Sequence, residues 1–125
     1  MATRTATMIP VPLAELHDPE TGRIDASRVA GFLAVTLPQV AAAVGASYAA
    51  VHKTPDALSL QKGLGPIKRC LALISRATRN RREARAWLNS PHPDLGERTP
   101  LDVMLGGQAD AVVTLLENAI AGLPS

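Results

Sequence analysis

The chain has 125 residues, a net charge of +2, one cysteine and a single Phe, Tyr and Trp. One Cys excludes an intramolecular disulfide, no stretch approaches the ~20 apolar residues of a membrane span, and the first dozen residues lack the apolar run of a signal peptide. A soluble, cytoplasmic chain is expected, one domain or two small subdomains sharing a core of Leu, Val, Ile and Ala.

Residues 1–24 read as an N-terminal arm: Thr- and Pro-rich first, then Leu13 and Leu16, then the turn Asp18 to Gly22. Residues 25–58 read as a compact helical unit. Asp25 is the expected N-cap of a first helix carrying Val29, Phe32 and Leu33 on one face. Thr36 and Gln39 have the spacing of a capping box and open a second helix through Val40, Ala41 and Val44 to Gly45. Ser47 is the expected cap of a third helix, Tyr48 to about Lys53, which Thr54-Pro55 stops. Ala41, Gly45 and Val51 have the spacing of a helix-turn-helix, where a small residue permits close crossing and glycine takes the turn's positive φ. In that geometry Ser47, Tyr48, His52 and Lys53 are candidate DNA contacts. A plain pair of antiparallel helices accounts for the same spacing, and the third helix has no Arg, Asn or Gln to read bases bidentately.

Residues 59–79 form the expected connecting helix. Leu60, Leu64, Ile67, Leu71 and Ile74 recur at +4, +3, +4, +3, and the stripe keeps phase across Pro66, so one bent helix is predicted. A helix starting anew at Gly65-Pro66 is the alternative. Charge changes sharply here. Residues 1–52 have three basic against four acidic side chains (−1), residues 53–85 nine against two (+7), and residues 86–125 one against five (−4). A basic middle between acidic ends suggests two partner surfaces, although solvated helix faces produce the same pattern.

Residues 80–125 complete the all-α bundle with three short helices. Asn80 caps the first, with Glu83 placed to reach back to the cap N–H and Ala84, Trp87 and Leu88 on one face. Ser90-Pro91-His92-Pro93 stops it. Thr99-Pro100-Leu101-Asp102 starts the second, which ends at Gly106-Gly107. The last carries Val112, Leu115, Leu116, Ala119 and Ile120 and ends at Gly122. No enzyme constellation is present: His17, His52 and His92 have no metal-ligand spacing, Cys70 falls on an inward stripe, and no cofactor-binding motif occurs. No catalytic residue, metal or cofactor is expected.

The order Trp87-Leu88, Ser90-Pro91, Leu95-Gly96, Thr99-Pro100-Leu101-Asp102 and Gly106-Gly107, closed by an apolar helix, resembles the toxin-binding domain of the Xre/MbcA/ParS-like antitoxins. His92 departs from it, the family often having Asn there. The resemblance implies an antitoxin whose partner is a RES-domain toxin that destroys NAD. It also implies an Xre-like helix-turn-helix in the first half, repression of its own operon, and a homodimer on operator DNA. A toxin admitting the NAD pyrophosphate is expected to be electropositive at its pocket. Asp102, Asp110 and Glu117, with Leu123, Pro124 and Ser125 as a plug, are therefore the candidate toxin contacts. A stand-alone DNA-binding regulator is the second hypothesis and a structural interaction module the third.

Overall fold

The computed structural model describes residues 13–122. Among these residues seven α-helices follow one another: α1 Ala26–Leu33, α2 Leu37–Ala43, α3 Tyr48–Lys53, α4 Gln61–Ala77, α5 Arg81–Leu88, α6 Pro100–Leu105 and α7 Ala109–Ile120. Short 3-10 turns stand at Ala14–Leu16, Leu58–Leu60 and Pro93–Leu95. Among the described residues there is no strand, only the isolated bridges His17↔Ile24 and His92↔Arg98. The all-α expectation is met. No single helix in this stretch is long and apolar enough to cross a membrane.

The helix starts follow from local chemistry. The Asp25 carboxylate accepts from the N–H groups of Ser27 (2.8 Å) and Arg28 (3.1 Å). Thr36 and Gln39 form a reciprocal capping box, and the Ser47, Asn80 and Thr99 side chains each accept the N–H three residues on. Glu83 departs from expectation. Its carboxylate accepts from the Arg79 N–H (3.0 Å) and guanidinium rather than from the cap residue itself. Those donors, the Arg79 N–H first and the guanidinium second, hold the Glu83 carboxyl below its ordinary value.

The α4 stripe organises the core. Leu64, Ile67, Cys70, Leu71, Leu73 and Ile74 are buried on it, and Pro66 lies inside the helix without ending it. Its most extensive neighbour is α7, which buries Ala109, Val112, Leu115 and Leu116. α6 packs on α7 and on α2, and α1 packs on α2. Buried residues from Leu16 to Leu116 form one continuous apolar cluster. Leu16 and Ile24 belong to it, so this end of the expected arm is part of the core. The Gln61 amide fastens it: Oε1 accepts from the Ile24 N–H and Nε2 donates to the Ile24 carbonyl, both at 2.9 Å. Two buried backbone groups are satisfied by one side chain.

Between α2 and α3 the chain turns at Gly45, whose φ of +72° suits a residue without Cβ. Ala41 and Val51 are buried on either side of the turn.

Candidate partner-binding surfaces

The stretch after α5 is held by a dense set of backbone bonds. His92 donates its N–H to the Arg98 carbonyl (3.1 Å), and its own carbonyl accepts from Leu95 (3.0 Å) and Glu97 (3.1 Å). Its Nδ1 accepts from the Asp94 N–H at 3.2 Å, capping the Pro93–Leu95 turn. The hydrogen bonding of this histidine, unassigned from sequence, is thus that of a turn cap. Its ring meets Trp87 edge-on, with centroids 6.4 Å apart.

Trp87 serves two purposes. It packs against the apolar cluster but is only half-buried, whereas Ala84 and Leu88 on the same helix are buried. The rest of its ring lines a cleft of about 310 Å³ shared with His92, with Ala77 from the end of α4, and with Leu115, Leu116, Ala119 and Ile120 from α7. Ile120 is 45% exposed. Sequence periodicity assigned Trp87 to the core; its stripe has no feature that marks the exposed ring edge.

The acidic candidates stand on two helices. Asp102 is exposed in the first turn of α6, where its N–H is the one capped by Thr99 (3.0 Å). Asp110 is exposed in the first turn of α7. Glu117 lies seven residues on, so on the same side of that helix. The Glu117 carboxylate accepts from Arg69 of α4 at 2.7 Å, in a pair that both partners leave well exposed. Leu123, Pro124 and Ser125 lie outside the described residues.

The candidate DNA contacts fall on α3. Ser47 is engaged in capping, its Oγ accepting from the Ala50 N–H at 3.1 Å. Tyr48 is 49% exposed and its ring lies 5.5 Å from that of His52 one turn away; Lys53 is exposed at the end of the helix. Much of the basic middle is engaged elsewhere. Arg81 pairs with Glu15 and lies over the Phe32 ring, 4.5 Å from its centroid. Arg85 donates to the Phe32 carbonyl (2.8 Å) and the Gly31 carbonyl (3.3 Å), satisfying the end of α1. Arg79 pairs with Glu83, and Lys68 Nζ lies 2.6 Å from His17 Nε2. Lys53, Lys62, Arg76 and Arg82 are exposed and none of the described ion pairs includes them.

Cys70 is fully buried and its thiol donates to the Ala109 carbonyl at 3.3 Å. Burial, reinforced by the Asp110 charge, pushes it up to about 12. The native chain is therefore expected to resist a thiol reagent at pH 8 and to react on unfolding. The unfolded thiol ionises near pH 9 while the folded one stays protonated to about 12. Stability should accordingly fall by ~1.4 kcal/mol per pH unit across that window. Urea titrations of native protein and of Cys70→Ala measure the difference.

Among the described residues no group of three or more His, Cys, Asp or Glu is placed to hold a metal. Residues 76–122 match the family model described as the antitoxin Xre/MbcA/ParS C-terminal toxin-binding domain. This segment is similar to an antitoxin toxin-binding domain. It spans the end of α4 and all of α5, α6 and α7, and contains every residue that lines the Trp87 cleft. Less than half of the chain lies within the match, which supports an antitoxin role and implies a toxin partner. No curated protein and no solved structure matches the chain.

Proposed function

We propose that the chain is a cytoplasmic antitoxin that acts by binding rather than catalysis, neutralising a NAD-degrading toxin of the RES type by covering its pocket. The observation that carries this is the toxin-binding domain itself, placed on three helices that share the core of the rest of the chain. Such a domain is presented on a rigid support, so little order has to be imposed when the partner docks. Asp102 and Asp110 are exposed and suit an electropositive pocket mouth; Glu117 serves as a steering charge once it leaves or shares Arg69. Leu123, Pro124 and Ser125 follow α7 in sequence and are proposed as the plug.

The test is co-expression with the protein of the adjoining reading frame, with growth rescue and NAD consumption as readouts. Deleting Leu123 to Ser125 should leave NAD consumption by an equimolar mixture at least tenfold above that with the intact chain. Full inhibition by the truncated chain would assign blocking to the helices instead.

Exposed Tyr48 and Lys53 on α3 favour a second role: a helix-turn-helix of α2 and α3 bound to operator DNA as a homodimer, with Ser47 and His52 beside them. Anisotropy titration of operator DNA should then show affinity falling steeply with salt, and Lys53→Ala should reduce the salt slope by about 1. A slope unchanged by Lys53→Ala would remove α3 from the interface.

A further inference from the structure

Three large apolar side chains are exposed on the described surface: Tyr48, Leu58 and Ile120. Only Ile120 lies in the toxin-binding domain, and it lines the Trp87 cleft. We infer that this cleft seats a single apolar side chain, aliphatic or aromatic, projecting from a basic patch of the toxin. The inference rests on the antitoxin reading and names the chemistry of its contact.

The walls are apolar except for the His92 ring, and no formally charged side chain lines them. A volume of about 310 Å³ is at the lower end of the ~300–1,000 Å³ of small-molecule sites and suits one large side chain. The walls are also already built. Backbone bonds on both sides of His92 fix the ring that meets Trp87, and Leu115 and Leu116 are buried in the core below. An anchor entering a preformed apolar pocket, with polar groups around it, is the usual arrangement of an interface hot spot.

Charge selects the partner. Residues 86–125 have a net charge of −4, and the exposed Asp94 carboxylate stands 4.0 Å from His92. Glu117, one turn from Ile120 on the same helix, is paired with Arg69 and adds no net charge to the rim, which leaves Asp94 as its acid. An apolar side chain on a basic toxin surface fits this rim.

The experiment uses the full chain and the protein encoded by the adjoining reading frame. Ala119→Glu and Ile120→Glu change exposed positions and should each weaken binding by at least 100-fold in calorimetry. Leu58→Ser, on the other half of the chain, should bind as the wild type does. As Trp87 is the only tryptophan, 5-fluorotryptophan labelling gives one ¹⁹F signal, which should shift when the complex forms. Failure of the wild type to bind sinks the antitoxin reading and this inference together. A complex that forms with equal affinity for both variants, or with an unmoved ¹⁹F signal, overturns the cleft alone. Variants that turn a dimer into a monomer at unchanged toxin affinity would make the cleft a self-association site, which also overturns it.

Discussion

Gly63→Val is expected to lower the unfolding free energy by ~3 kcal/mol, at the upper end of the usual cost of overpacking. A Cβ at this position would stand 2.8 Å from the Val44 Cβ, 3.0 Å from its Cγ1 and 3.1 Å from its Cα. The first two contacts belong to a side chain, but the third is backbone, so rotation of Val44 alone gives no relief. Val44 is the C-cap of α2, and Gly63 lies in the first turn of α4. Relieving the clash therefore means moving two helices apart in a shared core. Gly63→Ala should cost less, because alanine recovers about 1 kcal/mol of helix propensity while making the same Cβ contact. Urea titration at constant m-value measures both. A loss below ~0.5 kcal/mol for the valine variant would show that α2 and α4 separate freely.

Trp87→Ala should cost ~3 kcal/mol, the lower end of the range for deleting a large aromatic side chain, because the ring is half-buried. At this chain length that corresponds to a fall in Tm on the order of 10 °C. The largest side chain of an otherwise aliphatic core is lost, and with it the edge contact that flanks the His92 ring. Trp87→Phe should recover most of the loss, since phenylalanine keeps the apolar body. Thermal unfolding followed by far-UV circular dichroism is the measurement. A melting curve unchanged within error would make Trp87 purely an interface residue.

The two substitutions differ in how legible they were. Gly63 reads from sequence as an interruption of the α4 stripe; its close approach to Val44 depends on where α2 lies. Trp87 reads as core from its spacing with Ala84 and Leu88, and that holds for the face that packs inward. The exposed edge becomes visible only when α7 and the end of α4 are brought beside it.

The elements themselves were determined by the sequence because their causes are local. Asp25, Thr36, Ser47, Asn80 and Thr99 each cap a helix by reaching a backbone N–H within three residues. The α4 stripe stays in phase because helical periodicity needs no partner to be counted. The order of caps, prolines and glycines from Trp87 to Gly122 carried the toxin-binding resemblance, which the match over residues 76–122 bears out. Tertiary structure alone decided which charges remain available to a partner. Arg81 reaches Glu15 across 66 residues, Arg85 reaches Phe32 across 53 and Arg69 reaches Glu117 across 48. A charge run shows how many cations a segment has. Which of them are neutralised or committed to carbonyls depends on distances that exist only after α4, α5 and α7 have packed, since hydrogen bonds and ion pairs act over a few ångströms while the chain joining their partners runs for tens of residues.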